Sequence, residues 1–434
     1  MSVSAKRRPR AASPRAIALE AVRRVTDEGA YSNLLLPQLL RDTDLSEADR
    51  HLATELTYGT VRRLISIDHA LGRFLKRPIG RAPRHSRAAL RIGAYQLLFT
   101  RIPAHAAVSE TVDLVDERAR GFVNAILRRL VRERPEPAEG TDDPAVSART
   151  GLSAWAVSEL RRLVGEEAEP AAAALAAQAR VSLRANTCRG SVEDLERDLS
   201  KAGIDTERGT VHAWSLRLQG GDPGRLPGYA EGRFAIQDEA SAWVVDVLDP
   251  QPGERVLDAC AGPGGKAGDI ACRAGTVVAG DRSFRRARLV RQAADRLGVD
   301  TRVLVQDAET PALKEGFHRI LVDAPCSGLG AARRRPELLW RADRRELSRL
   351  ARLQVSLAAG AAGLLRPGAT LVYSVCTFPR AETDAVCDAL LSKVPFLIPD
   401  PFPGPDGQEA PRARLWPHRD GTDAMFVARF RRTL

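Results

Sequence analysis

The run Leu257-Asp258-Ala259-Cys260-Ala261-Gly262-Pro263-Gly264-Gly265-Lys266 constrains this chain more than any other stretch. It follows the apolar Arg255-Val256-Leu257, which reads as a short buried strand, and precedes a helical segment from Ala267 to Ala274. A strand that turns through glycines into a helix points backbone N–H groups at an open crevice. In a doubly wound sheet that crevice lies at the carboxyl ends of parallel strands. Gly262, Gly264 and Gly265 let the backbone approach a ligand with no Cβ in the way. The spacing is neither GxGxxG nor that of a phosphate loop, which disfavours a dinucleotide or a polyphosphate. Taken alone, such a loop is also compatible with a bare turn.

The residues after the loop narrow the choice. Thr276 to Gly280 is a second apolar strand that ends in Asp281, roughly 20 residues past the loop, where this architecture expects a ribose-binding acid. Phe284 to Leu297 has the pattern of an amphipathic helix, and Val303 to Gln306 that of a third strand ending in Asp307. Acids at successive strand ends suit a nucleoside-bearing cofactor without polyphosphate. S-adenosyl-L-methionine fits, because its ribose hydroxyls and adenine amine need acceptors and its sulfonium tolerates acidic surroundings.

The rest of the chain frames this core. Residues 1–13 form a basic tail that includes Lys6-Arg7-Arg8-Pro9-Arg10, read as an RNA-contacting segment. Residues 14–134 read as all-helical, with apolar residues at helical spacing (Ile17, Ala21, Val25; Val108, Val112, Val115) and punctuation at Pro78, Gly80, Pro83 and Pro103. Residues 135–150 read as a linker and residues 151–232 as a small α/β domain, with Ser191 a plausible N-cap and Gly203 just past the end of that helix. From residue 233 to 434 strands and helices alternate, the sequence form of a parallel sheet covered on both faces. Its later strands are Arg319 to Val322, Ala369 to Val375 and a closing, antiparallel candidate from Asp423 to Phe430.

Composition bounds the partners. Lys and Arg number 66 against 55 for Asp and Glu, a formal charge of +11. That excess favours a polyanionic partner over a small neutral substrate. No apolar run approaches the ~20 residues that span a bilayer. The six cysteines (Cys188, Cys260, Cys272, Cys326, Cys376 and Cys387) form no CxxC pair and no Cys/His group with zinc spacing. This predicts no metal, no disulfides and a reducing, cytoplasmic setting.

Two of these cysteines sit where chemistry is done. One strand ends Asp323-Ala324-Pro325-Cys326-Ser327-Gly328 and the next Tyr373-Ser374-Val375-Cys376-Thr377-Phe378. Neighbouring parallel strands would bring both thiols and the acid to the crevice of the glycine loop. One cysteine alone reads as a small buried hydrophobe; two at strand ends facing one crevice read as functional. Carbon 5 of cytosine is a poor nucleophile. A thiolate adding to carbon 6 puts electron density on carbon 5, which then accepts a methyl group from a sulfonium. An acid near ring nitrogen 3 stabilises the adduct. A free thiol, with pKa ~8.5, is only a few per cent thiolate at neutral pH, so the nucleophile needs a nearby cation. Arg380 is one candidate.

The runs from Gln237 to Ser241 and from Leu257 to Lys266, with Asp323 to Gly328 and Tyr373 to Thr377, closely resemble those of RNA cytosine-C5 methyltransferases of the RsmB (Sun/Fmu) family. Glu55-Leu56-Thr57-Tyr58-Gly59, Arg91 to Leu97 and Gly121 to Arg129 look like that family's NusB-like helical RNA-binding domain. The resemblance implies a multidomain fold: an all-α NusB-like bundle, a small α/β domain and a Rossmann-like class I S-adenosylmethionine-dependent methyltransferase domain. It implies Cys376 as nucleophile, Cys326 in product release and Asp323 near ring nitrogen 3. It places the cofactor against Cys260, Ala261, Gly262, Pro263, Gly264, Gly265, Lys266, Asp281, Arg286, Asp307 and Asp323. The implied substrate is one cytosine of 16S rRNA; separately from the resemblance, a monomer is expected. Gly262, Val375 and Ala369 depart from the family pattern without removing a reactive group.

Three other readings stand beside this one. Attack by Cys326, the cysteine after proline, is the arrangement of DNA cytosine methyltransferases, but it leaves Cys376 unexplained. A tRNA cytosine-C5 methyltransferase shares the catalytic motifs but not the helical domain. A non-catalytic NusB-like assembly factor would have no use for Cys376, Cys326, Asp323 and Lys266 together. Finally, Arg333-Arg334-Arg335 with Arg341, Arg344, Arg345, Arg349 and Arg352 forms a basic concentration, expected either to grip RNA phosphates or to be half of a solvated helix face.

Overall fold

The computed structural model describes residues 13–219 and 222–434, so the basic tail lies outside the described residues apart from Ser13. The chain forms two compact units. One runs to Ala176 and takes in Arg334–Arg341; the other comprises Ala177–Arg333 and Ala342–Leu434.

The first unit is helical. Its helices are α1 (Pro14–Asp27), α2 (Ser32–Arg41), α3 (Glu47–Arg62), α4 (Leu64–Gly72), α5 (Arg84–Phe99), α6 (Ala104–Val112) and α7 (Glu117–Glu133). Helix α1 starts at Ser13, whose hydroxyl accepts the Ala16 N–H, with Pro14 in the first turn. Helix α5 buries residues from Ser86 to Gln96 almost continuously, so it is the central helix rather than a surface one. Gly59 in α3 makes room for it: a Cβ there would lie 2.0 Å from the Tyr95 ring. The Tyr95 hydroxyl donates to Glu55. Helices α6 and α7 enclose an open groove of about 870 Å³, with Val108, Val112 and Val131 along it and Arg120, Arg128 and Arg132 at its walls.

Residues 135–150, expected as a linker, contain helix α8 (Asp143–Thr150), N-capped by Asp142 through the Ala145 N–H. Helices α9 (Ala154–Val164) and α10 (Ala168–Leu175) complete this unit. The short helix Leu338–Arg341 also belongs to it. Trp340 Nε1 donates to Val61 O (2.9 Å), and buried Glu337 accepts from Ser32 Oγ (2.7 Å). Arg341 donates to Val25 O (2.7 Å) and Ala30 O (2.9 Å), which satisfies carbonyls left over where α1 ends. The expected basic concentration is therefore divided. Arg335 stacks on the Tyr31 ring and Arg341 caps α1, whereas Arg333, in the second unit, donates to Gly421 O and Thr422 O of that same unit. These guanidinium groups fasten the chain to itself; Arg344, Arg345, Arg349 and Arg352 are exposed.

The second unit opens with a small antiparallel sheet of order β2-β3-β1-β4: β1 (Ser182–Ala185), β2 (Thr206–Arg208), β3 (Ser215–Leu218) and β4 (Phe234–Ile236). Helix α11 (Val192–Lys201) lays Val192, Leu195 and Leu199 on the core of Leu183, Leu216 and Phe234, and Ser191 and Asp194 close a capping box at its start. Residues Phe234–Ile236, placed by the sequence at the start of the catalytic domain, pair instead with β1 (Leu183↔Ile236), a long-range choice with no local signature. Cys188 and Cys272 are joined in a disulfide, against the expectation of free thiols. The fold brings their Cα atoms to 5.4 Å across 84 residues, with no spacing motif to announce it.

Next come α12 (Glu239–Leu248), β5 (Arg255–Asp258), α13 (Gly265–Arg273), β6 (Thr276–Asp281), α14 (Phe284–Leu297), β7 (Arg302–Val305), β8 (Phe317–Asp323), α15 (the Leu338–Arg341 helix), α16 (Arg344–Ala362), β9 (Leu365–Val375), α17 (Asp384–Lys393) and β10 (Leu397–Pro399). The chain closes with β11 (Phe402–Pro403), β12 (Glu409–Ala410), β13 (Arg412–Leu415), α18 (Pro417–Asp420) and β14 (Met425–Arg432). The large sheet has the order β10-β14-β9-β8-β5-β6-β7. Strands β5 to β9 are parallel, and β14 runs antiparallel to β9. The order reverses between β5 and β8, so the crevice beyond their carboxyl ends is the switch point where such sheets bind ligands. Leu257, Ile320 and Leu371, buried at the centre, hold these strands in register.

Candidate active site

The glycine loop leaves β5 at that switch point. The Ala261 N–H donates to Gly280 O (2.8 Å) and the Gly262 N–H to Asp281 Oδ2 (3.1 Å), so the loop hangs on the end of β6. A Cβ on Gly262 would sit 2.5 Å from that carboxylate oxygen and 2.7 Å from Arg286 Cβ. Arg286 donates to Gly262 O (2.5 Å) and lies 3.4 Å from Asp281. Gly264, at φ +110°, is the N-cap of α13, and a Cβ there would meet the Val290 backbone at 3.0 Å. Asp307 lies one strand further out, past β7, where its carboxylate accepts the Glu309 N–H (2.9 Å). Cys260 is a packing residue in the loop: burial and the neighbouring Asp258 push its thiol pKa up.

Asp258 stands at the head of the loop, and no motif in the sequence gives it a role. It is buried at the end of β5, and its Oδ1 has no hydrogen-bond partner among the described residues. Burial, with the charge of Asp323, pushes its pKa up to about 7. A buried acceptor left open beside a glycine cradle is what a polar ligand would satisfy. With Asp281 at the end of β6 and Asp323 at the end of β8, it sets three acidic side chains around the loop, which suits a ribose, an amine and a sulfonium.

The candidate reacting groups converge one strand over. Asp323 ends β8, paired in register with Ser374 of β9. Lys266 Nζ donates to Asp323 Oδ2 (2.7 Å) and Ser374 Oγ to Asp323 Oδ1 (2.7 Å), so both carboxylate oxygens are held. Burial works against the Lys266 ammonium, but Asp323 beside it, with a contribution from Cys376, holds its pKa above the ordinary value. Cys326 Sγ and Cys376 Sγ are 3.5 Å apart. The hydrogen bond from Cys326 lowers the Cys376 pKa, and the Lys266 charge helps, against burial and Asp323. The same hydrogen bond, with burial, raises that of Cys326. The shifts run in opposite directions, down for Cys376 and up for Cys326, with the Lys266 charge acting on Cys376. The cation acting on Cys376 is Lys266 and not the expected Arg380, which is exposed on the turn Arg380–Glu382. Ser374 escapes a reading of the sequence because a serine inside a strand carries no motif; its register opposite Asp323 is the only signal. Among the described residues no group of three His, Cys, Asp or Glu is arranged to hold a metal ion.

A parallel sheet with this strand order, a glycine loop at its switch point and an added antiparallel strand defines the Rossmann-like methyltransferase class, here preceded by a small sheet and a helical unit. Comparison with known proteins makes the assignment particular. The family "16S rRNA methyltransferase RsmB/F" matches residues 245–431, "NusB family" residues 12–132, and "Methyltr_RsmF/B-like, ferredoxin-like domain" residues 152–223. The "Probable ribosomal RNA small subunit methyltransferase B" of Bacillus subtilis is 34% identical over 97% of this chain and 99% of its own length. A "Putative methyltransferase" of Mycobacterium tuberculosis is 38% identical over 98% of each chain. The crystal structure of PH0851 superposes with a TM-score of 0.81 over 98% of this chain and all of its own, at 24% identity, a likeness of fold. The chain belongs to the RsmB/F family of ribosomal RNA small subunit methyltransferases.

Proposed function

We propose that this enzyme methylates carbon 5 of a cytosine in 16S rRNA through a covalent bond between Cys376 and carbon 6, with S-adenosyl-L-methionine as methyl donor. The observation that carries the proposal is the thiol pair 3.5 Å apart beside the Lys266–Asp323 ion pair. The target base leaves its stack, or is already single-stranded, at a cost of a few kcal/mol. Cys376 attacks as a thiolate: its electron pair forms the C6–S bond, and the ring's double-bond pair moves towards carbon 5. As the ring gains charge, nitrogen 3 takes a proton from water, and Asp323, steadied by Lys266 and Ser374, accepts the N3–H hydrogen bond that stabilises the adduct; that proton returns to water on release. The Gly262–Gly265 cradle with Asp281, Arg286 and Asp307 would hold S-adenosylmethionine, which would supply an electrophilic methyl group for that carbon, its sulfur keeping the pair of the broken C–S bond. Cys326, having lost its proton to water while Cys376 is bound to the base, takes the carbon 5 proton. The C–H pair restores the double bond, and the C6–S pair returns to Cys376. Holding the groups in line supplies up to ~7–11 kcal/mol of the barrier.

The test is a pair of variants incubated with 16S rRNA and the methyl donor. Cys376→Ala gives neither methylation nor adduct. Cys326→Ala forms a covalent RNA–protein adduct that persists on denaturing gels. The opposite pattern reverses the two roles. Bisulfite sequencing of rRNA from a strain lacking the enzyme identifies the cytosine.

A further inference from the structure

We propose that Glu382 positions Cys326 for product release. Glu382 ends the turn Arg380–Glu382 and is fully buried. Its Oε1 accepts the Ser327 N–H (2.9 Å) and a Gln354 Nε2 hydrogen (3.0 Å), and its Oε2 accepts from Ser327 Oγ (2.5 Å). Gln354 Nε2 also donates to Pro325 O (3.0 Å). The residues on either side of Cys326 are thus pinned by one carboxylate and one amide. The clasp reaches the other cysteine as well. Ser327 Oγ lies 2.7 Å from Thr377 Oγ1, next to Cys376. Because the single Ser327 hydroxyl proton points at Glu382, Thr377 is the donor in that bond. Glu382 is itself tied to the strand that carries Cys376, since the Tyr373 hydroxyl of β9 donates to Glu382 O (2.7 Å).

A buried carboxylate met by neutral donors is a poor stabiliser compared with an apolar side chain of similar size. What Glu382 adds is geometry: it fixes where the 325–328 loop stands relative to residues 376–377, and so the separation of the two sulfurs. The demand for that geometry comes in the release step. Once Cys376 is bonded to carbon 6, it no longer accepts a hydrogen bond from Cys326, and the mutual contact that aligned the thiols is gone. Cys326 must still meet the carbon 5 proton. Its aim then rests on Ser327 and Pro325, and through them on Glu382 and Gln354. Glu382 is a positioning residue; it touches neither substrate nor sulfur.

This inference rests on the assignment of Cys376 to attack and Cys326 to release, and Cys326→Ala serves as the control that separates the two. Glu382→Ala removes the clasp. It should lower kcat by about 10–100-fold, the cost of roughly 1 Å of misplacement, lower the apparent KM for RNA in parallel so that kcat/KM changes little, and accumulate the covalent adduct as Cys326→Ala does. Glu382→Gln keeps the clasp: its carbonyl accepts from Ser327 N and Gln354, its amide donates to Ser327 Oγ, and the hydroxyl chain turns so that Thr377 accepts. It should turn over nearly as wild type, without adduct. Ser327→Ala, which cuts the Oγ link but keeps the N–H bond, should accumulate adduct to a smaller extent and gives a readout if Glu382→Ala does not fold. A folded Glu382→Ala that turns over normally overturns the proposal. So does one that forms neither adduct nor product, and so does a Glu382→Gln as impaired in release as the alanine variant. Absence of adduct in Cys326→Ala itself would instead withdraw the release assignment on which the proposal stands.

Discussion

Replacing Lys266 by methionine tests whether the ion pair holds the site together and tunes its nucleophile. Lys266 and Asp323 are 2.7 Å apart, with side chains 10% and 32% exposed. Removing one partner of a buried pair costs about 3–5 kcal/mol, because the other charge stays desolvated. A third of Asp323 reaches solvent, so the lower end, about 3 kcal/mol, applies. For a unit of this size that is a fall of roughly 6–12 °C in Tm, at about 2–4 °C per kcal/mol. The kinetic effect has a definite sign. Lys266 lowers the Cys376 pKa; without it that pKa rises, and each unit of rise leaves about tenfold less thiolate at a fixed pH below it. The rate at neutral pH should fall, and the ascending limb of the pH–rate profile should move to higher pH, with part of the loss recovered there. The double variant Lys266→Met/Asp323→Asn removes both charges and should regain most of the Tm but not the rate. Calorimetry and single-turnover methylation between pH 6 and about 10, a range bracketing the ordinary thiol pKa of ~8.5, read out the two effects. A Lys266→Met enzyme with unchanged Tm and an unshifted profile refutes the reasoning.

The same geometry sets other outcomes. Asp258, with a folded pKa of about 7 against an ordinary ~3.9, favours the folded state most below the unfolded value, and this advantage is lost as pH rises from about 4 to 7, by about 4 kcal/mol at 1.36 kcal/mol per unit. Asp258→Asn should flatten the pH dependence of Tm over that window and raise Tm above it; a Tm profile like the wild type's counts against the burial argument. Gly264→Ala places an L-residue at φ +110° with its Cβ against the Val290 backbone. It should cost ~1–3 kcal/mol and weaken S-adenosylmethionine binding, measured by calorimetry, more than it weakens RNA binding. The groove between α6 and α7, walled by the exposed Arg120, Arg128 and Arg132, is a basic surface on which to test for RNA contact. Changing its three arginines to glutamate should lower RNA affinity and flatten the salt dependence by ~0.7–0.9 per lost phosphate contact. An unaltered slope removes the groove from consideration.

Features that depend on neighbours in the chain can be read directly from the residues. The glycine turn between β5 and α13, the acids closing β6 and β7, the Ser191 cap and the antiparallel last strand all announce themselves locally, because period, turn chemistry and caps act over a few residues. The meeting of the 323–328 and 373–378 segments comes from one rule about parallel sheets, that consecutive strand ends share a crevice. What escapes is decided by contacts between distant residues of ordinary type. Phe234 could start the large sheet as easily as it completes the small one. Nothing near Cys188 marks Cys272 as its partner. Lys266 reads in the sequence as part of a backbone loop, and only the position of β8 beside β5 shows that its ammonium belongs with Asp323 and Cys376.

The arginine cluster shows why such contacts cannot be recovered by counting charge. A guanidinium has five N–H donors, and a folded chain has carbonyls at every helix end that need them. Arg341 spends its donors on Val25 and Ala30, Arg333 on Gly421 and Thr422, and Arg335 lies on an aromatic face. None of this alters the formal charge of the segment, yet it decides whether that charge is offered to a polyanion or used to fasten one part of the chain to another. On α7, Arg128 donates along its own helix to Asn124, and Arg120 and Arg132 are 45% and 69% exposed, each 4.0 Å from an acid, Asp113 and Glu133. A phosphate competing for those groups displaces little. One competing for Arg341 would have to unmake the end of α1. Charge reversal at α7 should therefore change RNA affinity while leaving Tm nearly unmoved, and charge reversal at Arg341 should lower Tm first, a contrast that two melting curves and two binding isotherms can decide.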